Sequence, residues 1–400
     1  MSRQQLDFLF LNLGHFLDHL FMLVFATVAA LKLTNEWDMS YAELIPYATP
    51  GFIAFGLCAL PAGWLADKWS REGMMTLFFF GIGIASMLTA MASTPMEIGA
   101  GLFLIGVFGA IYHPVGLAMV VQGRTRTGIP LAINGIFGNM GVASAALLTG
   151  FMIDNSGWES AFWIPGLVSV ALGGAYVVYL LSTHEARAAA KTAAAKKAVE
   201  TINIERSTLI RIFAIIFFST AIGGLIFQST TFALPKVFDE RLLELAPSAT
   251  AIGTYAFVVF TIAAVAQLVV GYLVDNHSVR TVFAAVAGLQ TVFFFAMIEL
   301  DGMAALLISV AFMLVVFGQI PINDVLVARI TRSEWRSRVF SFRYIITFSV
   351  AATAVPMIAS IHGSGGFPVL FAVLAAAAAL IFVTVLLMPR KNAIIQPQGA

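Results

Sequence analysis

Long apolar runs alternate along the chain with short polar segments. A transmembrane helix needs about 20 largely apolar residues, and twelve runs of that kind follow one another. Because irregular backbone is not tolerated in hydrocarbon, each run predicts a helix. The predicted spans are residues 7–33, 44–66, 73–93, 98–121, 130–153, 160–182, 209–235, 250–274, 281–300, 303–328, 339–361 and 367–388.

One longer polar stretch separates six of these runs from the other six. Residues 184–207 are rich in Ala and Lys, which favour helix but provide too little apolar surface to fold alone. We therefore predict an all-α membrane protein made of a six-helix bundle at 1–183, a cytoplasmic linker at 184–207 and a second six-helix bundle at 208–400. The second bundle ends in a short cytoplasmic tail.

Composition agrees with a membrane protein and excludes other classes. Hydrophobic residues make up 60% of the chain and charged residues 11%, against about 25% charged in a soluble domain. The 22 Lys and Arg residues balance 21 Asp and Glu residues, so nucleic-acid binding is not supported. Cys58 is the only cysteine, which excludes an internal disulfide and a CxxC site. No GxxxxGK[ST] loop is present, which argues against ATP hydrolysis.

The positions of Lys and Arg predict the orientation. If the N-terminus lies in the cytoplasm, only Lys32, Lys236 and Arg241 fall on the outer side. Cytoplasmic loops are enriched in these residues. We therefore expect both termini and the linker inside the cell.

A short motif occurs twice, about half a chain apart. The loop after the second run reads GWLADKWSR from Gly63 to Arg71, and the loop after the eighth reads GYLVDNHSVR from Gly271 to Arg280. Gly, Leu, Asp and Ser stand at identical offsets in both. A match in equivalent loops of the two halves is typical of a duplicated bundle.

These loops resemble the hallmark G-x-L-x-D-R-x-G-R-R of the major facilitator superfamily. The resemblance implies two six-helix bundles that alternate access, and a charge clamp at the cytoplasmic loops that holds one state. The alternative is that the loop charges only set the orientation. The expected gating residues are Gly63, Asp67, Lys68, Arg71, Gly271, Asp275 and Arg280.

Two further segments are similar to bacterial efflux members of the fosmidomycin-resistance type. They are GAIYHP at residues 109–114 and GIFGNMG at residues 135–141. This resemblance implies export of a small organic molecule and a location in the bacterial inner membrane.

The first apolar run contains three ionisable residues close together, His15, Asp18 and His19. Asp18 lies about 16 Å along the helix, near mid-membrane, and charges there are functional candidates. Burial favours the neutral form of a carboxyl, and a nearby histidine can take or stabilise its proton. We therefore predict proton coupling by Asp18, with His15 and His19. The alternatives are a structural hydrogen bond from Asp18 to a neighbouring helix and contact with a cationic substrate.

His15 and His19 also have the i, i+4 spacing of metal ligands. Asp18 or His113 would complete such a site. No cysteine or second carboxylate-rich helix supplies further ligands, and paired histidines often only bond to each other. We therefore assign no metal site and no cofactor, while transition-metal export remains an alternative.

Polar residues in otherwise apolar runs predict a central substrate cavity. Pro114 and Pro321 are expected to break the fourth and tenth helices at equivalent places in the two halves. Near the cytoplasmic ends, Asp324 and Arg343 are expected to form an ion pair, with gating or anion contact by Arg343 as the alternative. The predicted cavity residues are Asn12, His113, Asn139, Gln228, Gln319 and Asn323.

Together these features predict a monomeric secondary transporter that exports a small organic molecule by proton-coupled alternating access. Uptake by proton symport is the alternative. An intramembrane enzyme that uses the histidines is disfavoured, because duplicated gate loops have no purpose in a catalyst.

Overall fold

The computed structural model of the chain describes residues 3–122, 128–183, 206–330 and 333–388, and within these ranges the regular structure is helical. π-Helical turns occur at Ala29–Leu33 and Tyr112–Gly116, and 3₁₀ turns at Ile45–Ala48 and Met297–Glu299. The α-helices are α1 (Arg3–Val28), α2 (Thr34–Glu36), α3 (Tyr41–Leu44), α4 (Thr49–Leu57), α5 (Ala59–Lys68), α6 (Arg71–Thr89), α7 (Pro95–Gly109), α8 (Leu117–Val121), α9 (Gly128–Ser156), α10 (Glu159–Ser182), α11 (Arg206–Arg241), α12 (Ala249–Asn276), α13 (Val279–Ala296), α14 (Gly302–Ile330), α15 (Ser333–Ala351) and α16 (Ala354–Leu386).

Side-chain caps fix the start of several helices. Ser70 Oγ accepts a hydrogen bond from Gly73 N at 3.0 Å at the start of α6. Thr94 Oγ1 accepts one from Glu97 N at 3.3 Å at the start of α7. Such caps satisfy backbone N–H groups that have no partner within the helix. Ser70 therefore ends the two-residue break between α5 and α6, so the motif residues from Gly63 to Lys68 lie within α5.

Eleven helices in the described ranges are long and apolar enough to cross a membrane. The chain is therefore an all-α integral membrane protein. The last of the eleven, Ile345–Leu386, has 42 residues, and a helix of that length would measure about 63 Å, twice the hydrocarbon thickness. It covers most of the two last predicted spans, which accounts for a count of eleven where twelve are predicted. Gly366 within it has φ 66° and ψ −165° and is not helical, a conformation that glycine adopts at little cost.

The chain divides into two compact units. The first unit comprises Met1–Lys197 and Thr231–Phe260, and the second comprises Ala198–Thr230 and Thr261–Ala400. The predicted linker at 184–207 lies outside the described residues apart from its last two, and so does most of the predicted tail. The predicted domain boundaries stay a prediction.

Small residues let helices of the first unit approach closely. α1 packs against α9, α6 against α10 and α4 against α7. A Cβ at Gly83 would lie 2.7 Å from the carbonyl oxygen of Gly166, and one at Gly51 would lie 2.6 Å from that of Leu102. These glycines therefore bring backbones into direct contact, as is common in membrane bundles.

The segment 231–260 joins the first unit through a polar contact at the start of α12. The Asp154 carboxylate accepts hydrogen bonds from Thr250 N at 2.7 Å and Thr250 Oγ1 at 2.5 Å. A carboxylate at a helix N-terminus satisfies unpaired N–H groups and interacts favourably with the helix dipole.

Aromatic packing fills the core of the second unit, where α13 lies against α14 and α16. The rings of Phe294, Phe312 and Phe371 have centroids 5.2 to 6.3 Å apart, and all three side chains are buried. Such separations are typical of favourable aromatic pairs.

Candidate functional site

Four ionisable side chains meet inside the first unit. His15, Asp18 and His19 lie on α1, and His113 lies on the π-helical turn between α7 and α8. His113 Nε2 is 3.4 Å from Asp18 Oδ2, and the Asp18 side chain is 0% exposed. The structure therefore brings together the predicted proton-coupling residues and one predicted cavity residue.

Local sequence explains how the fourth predicted span presents His113. The α-helical pattern ends at Gly109, and a π-helical turn begins at Tyr112. Pro114 has no N–H group, so it cannot donate the next helical hydrogen bond. The helix therefore widens into a π-turn before α8 begins, and π-turns are frequent at functional sites.

The imidazoles of His15, His19 and His113 lie close together. The Nε2 atoms of His15 and His19 are 3.2 Å apart. The ring centroids of His15 and His19 are 4.9 Å apart, and His113 lies 5.3 Å from His15 and 5.4 Å from His19. Ring nitrogens from all three residues lie within 4.8 Å of one another.

A buried hydrogen-bond network fixes His15. Its Nδ1 lies 2.8 Å from the carbonyl oxygen of Asn134 on α9. Asn134 Nδ2 donates to Asn12 Oδ1 and to the Tyr112 hydroxyl, both at 2.9 Å. The Tyr112 hydroxyl donates to the Leu11 carbonyl oxygen at 2.8 Å. The network thus connects α1, α9 and the π-helical turn.

Asn134 and Tyr112 are site residues that the sequence reasoning missed. Tyr112 precedes His113 in the segment GAIYHP, and Asn134 precedes Gly135 in an apolar run. A buried amide in an apolar run was an available signal, since buried polar groups need partners. Its partners became visible only with the packing of α1 against α9.

The Asp18 carboxylate sits in an enclosed position. Among the described residues, neither of its oxygens has a hydrogen-bond partner. A Cβ at Gly109 would lie 3.2 Å from Asp18 Oδ1, so a glycine makes room for the carboxylate. An ionised carboxylate in this place is costly unless a positive charge is near. His113 supplies an ionisable ring nitrogen, Nε2, at 3.4 Å from Asp18 Oδ2.

The other predicted cavity residues are distributed over both units. Asn12 hydrogen-bonds to Asn134 within the first unit, and Asn139 is buried on α9. Gln228, on α11, is half-buried in the second unit. Gln319 and Asn323 lie on α14 in the second unit.

The polar residues of α14 form a network of their own. Gln319 Oε1 accepts a hydrogen bond from Gln290 Nε2 at 2.9 Å. Gln319 Nε2 donates to the Ser219 carbonyl oxygen at 3.4 Å, and Ser219 Oγ donates to Asn323 Oδ1 at 3.4 Å. Gln290 was not predicted. It is the only amide side chain in the run 281–300, which was the available signal.

The two proline-containing helices differ. The break expected at Pro114 coincides with the π-helical turn. The break expected at Pro321 is wrong, because α14 continues through that residue as one helix. Neighbouring helices and small backbone adjustments can accommodate a single lost hydrogen bond in a membrane helix.

The first motif loop contains the charges that the gate would need. Asp67 accepts a hydrogen bond from Arg71 Nη2 at 2.9 Å, and Arg71 Nη1 is 3.5 Å from Gln122 Oε1. Lys68 is exposed. A Cβ at Gly63 would lie 3.3 Å from Pro114 Cβ, so α5 packs against the π-helical turn that carries His113.

The second motif loop is arranged differently. Arg280 Nη2 donates to the Leu386 carbonyl oxygen at the end of α16, at 2.7 Å. Asp275 is exposed. A Cβ at Gly271 would point into open space, with no neighbour within 4 Å in the described part of the chain. In the same unit, Arg343 Nη1 is hydrogen-bonded to Asp324 Oδ1.

Comparison with known proteins gives a family match. Residues 11–244 match the family described as Major Facilitator Superfamily. The gallate transporter of Pseudomonas putida is 26% identical over 145 residues, which cover 36% of this chain and 32% of that protein. The 4-hydroxybenzoate transporter PcaK of Pseudomonas putida is 26% identical over 162 residues, covering 38% and 34%. The chain thus matches about a third of the length of each relative.

The fold is also similar to that of a solved transporter. The crystal structure of a D-xylose-proton symporter superposes on this chain with a TM-score of 0.74. The superposition covers 97% of this chain and 98% of the symporter chain, and the sequences are 12% identical. At that identity the likeness concerns the fold.

Proposed function

Because this chain belongs to the Major Facilitator Superfamily, we propose that it is a proton-coupled secondary transporter that exports a small organic molecule. The observation that carries this proposal is the buried group formed by Asp18 and the three histidines. An ionisable cluster inside a membrane bundle is costly and is typical of proton or substrate pathways.

Asp18 carries the proton in this proposal. It is fully buried and close to His113, so the neutral carboxyl is the form that the site tolerates without a nearby positive charge. His15 and His19 complete the proton-coupling group. Asn12, His113, Asn139, Gln228, Gln319 and Asn323 are the proposed substrate contacts.

Two observations bear on the direction of transport and on the substrate. The resemblance to fosmidomycin-resistance exporters favours export, the direction we propose. The similarity to relatives named for gallate and 4-hydroxybenzoate supports small aromatic carboxylic acids as the first substrates to test. Uptake of such an acid by proton symport is the second candidate function.

Proteoliposomes of known orientation test both directions. Radiolabelled gallate and 4-hydroxybenzoate, followed by organic cations, amphiphiles and divalent metals, are offered in counterflow and then under an imposed pH gradient. Outward movement of a substrate against its gradient, driven by inward proton flow, supports export. Inward movement together with protons would replace export by symport, and turnover of a substrate without flux would contradict transport.

We further propose twelve crossings in two six-helix bundles, with both termini in the cytoplasm of a bacterial cell and the chain acting as a monomer. The non-helical Gly366 supports two crossings within the last long apolar segment. The distribution of Lys and Arg supports the orientation.

The orientation predicts how single cysteines react in intact cells. In a Cys58→Ser background, Ala194→Cys should react with an impermeant maleimide only after the cells are opened. Glu244→Cys, in a loop expected outside, should react at once and serves as the matched control. Labelling of Ala194→Cys from outside would contradict the proposed topology.

The gate proposal predicts a moderate effect of Asp67→Asn. Asp67 and Arg71 are exposed, at 69% and 36%, and such ion pairs contribute about 0.2–1 kcal/mol. Since 1.4 kcal/mol is about tenfold in an equilibrium, we expect transport to fall about 1.4- to fivefold, with substrate binding and unfolding temperature retained.

A second exposed pair gives the control for that variant. Lys32 and Glu36 are 3.5 Å apart and similarly exposed, and Glu36→Gln should leave transport unchanged. If Asp67→Asn lowers substrate binding and transport equally while the protein remains folded, Asp67 belongs to the binding site and the clamp is wrong.

A further inference from the structure

We propose that His15, His19 and His113 form a binding site for one divalent transition-metal ion, with zinc as its best match. The inference goes beyond proton-coupled transport and does not depend on it. It rests on the arrangement of three imidazoles, on the hydrogen bond that His15 makes through Nδ1 and on the glycine that faces His15 Nε2.

The separations between the rings agree with tetrahedral coordination. Imidazoles bound to one tetrahedral zinc ion at Zn–N distances of about 2.0–2.1 Å have nitrogens about 3.3 Å apart and ring centroids about 5.2 Å apart. The Nε2 atoms of His15 and His19 are 3.2 Å apart. The three centroid separations are 4.9, 5.3 and 5.4 Å. The ring nitrogens all lie within 4.8 Å of one another, so side-chain rotations that move a nitrogen by at most about 1.5 Å would complete the site.

The hydrogen bond behind His15 gives its ring the tautomer that a metal ligand needs. A carbonyl oxygen can only accept a hydrogen bond. The contact of 2.8 Å between His15 Nδ1 and the Asn134 carbonyl oxygen therefore places the proton on Nδ1. In the neutral ring Nε2 then carries a lone pair, and Nε2 is the atom that faces His19. Metal-bound histidines usually donate their other N–H group to a carbonyl or a carboxylate in this way.

The surroundings also suit a cation. Asp18 Oδ2 lies 3.4 Å from His113 Nε2, and the negative charge of that carboxylate would offset the charge of the ion. His15 is buried, whereas His19 and His113 are half-buried. Nitrogen ligands of this type suit zinc and its neighbours in the first transition series.

A glycine keeps the coordinating edge of His15 open. A Cβ at Gly138 would lie 2.6 Å from His15 Nε2 and 2.8 Å from two ring carbons. Gly138→Ala therefore places a methyl group at the proposed ligand atom and leaves every ligand in the chain. At Gly135, one turn earlier on α9, a Cβ would meet no atom of the described residues within 4 Å, and Gly135→Ala is the matched control.

The test measures Zn²⁺ binding to the purified full chain in detergent, without a histidine tag, against a fluorescent chelator. We expect one Zn²⁺ ion per chain, and Co²⁺ in its place should show the visible absorption of tetrahedral cobalt. His15→Gln, His19→Gln, His113→Gln and Gly138→Ala should each weaken binding at least tenfold. Gly135→Ala and His362→Gln, which changes a histidine of the second unit, should bind as the wild type does.

Size-exclusion profiles and unfolding temperatures identify variants that fail to fold, and Gly138→Ala keeps the test valid if a histidine variant is lost. Absence of stoichiometric Zn²⁺ binding by the wild type, or equal binding by the three glutamine variants, would overturn the site and leave a hydrogen-bonded imidazole cluster. Transport driven by a pH gradient in the presence of a chelator is measured separately, so failure of the metal site is distinguishable from failure of proton coupling.

Discussion

Asp18→Asn protein is expected to lose net flux driven by a pH gradient, by at least tenfold, while it keeps exchange of substrate across the membrane. Net flux requires a group that binds a proton on one side and releases it on the other. Exchange requires only alternating access with substrate bound. The asparagine side chain has nearly the shape of a carboxyl but carries no exchangeable acid proton.

The surroundings of Asp18 explain why its replacement should spare the fold. The side chain is fully buried beside His113, and an amide group of nearly the same size and shape fits the same place. Asparagine is neutral, so it avoids the cost of a buried charge. We therefore expect folded protein whose deficit concerns proton coupling.

Flux assays in proteoliposomes, with and without a pH gradient, separate the two activities. Asp7→Asn, on the same helix, is the matched control and should behave as the wild type. If Asp18→Asn retains full gradient-driven transport across a range of pH values, proton coupling through this residue is wrong. A loss of both activities in folded protein would instead place Asp18 in substrate binding.

The regular part of the fold could be predicted from hydropathy because the bilayer requires long apolar helices. The predicted span 160–182 agrees with Glu159–Ser182, and 250–274 agrees with Ala249–Asn276. Near Gly366 the apolar character continues through a change of backbone direction, so hydropathy gives no unambiguous boundary there.

Sequence predicts the proximity only of those site residues that lie on the same helix. His15, Asp18 and His19 lie within two turns of α1, and their proximity follows from helical spacing. The approach of His113 depends on the packing of another helix. The contact of Asn134 with α1 likewise depends on the register between α1 and α9, which glycines set locally. Prolines were a poor guide, since the helix is interrupted near Pro114 and continuous at Pro321.

The second large effect is expected on stability, when Asn134, which hydrogen-bonds α9 to α1, is replaced. Asn134→Leu should lower the free energy of unfolding by about 1–3 kcal/mol. Asn134 is fully buried, and its amide donates to both Asn12 and Tyr112. Each interhelical hydrogen bond in a membrane protein contributes about 0.6 kcal/mol on average and at most about 1.7 kcal/mol. Leucine has a similar volume, so the cost arises from the lost bonds and from the buried Asn12 oxygen left without its donor.

Unfolding in detergent, followed by intrinsic fluorescence, measures this loss. Asn155→Leu, on the exposed end of the same helix, should change the free energy of unfolding by less than about 0.5 kcal/mol. In the double variant Asn12→Leu/Asn134→Leu, the second substitution should cost less than it does alone, because the bond between the two residues is already lost. Additive costs would mean that the amides do not interact. The carbonyl oxygen that holds His15 belongs to the backbone and remains in Asn134→Leu, so the orientation of the His15 ring should survive even though the network behind it is weakened.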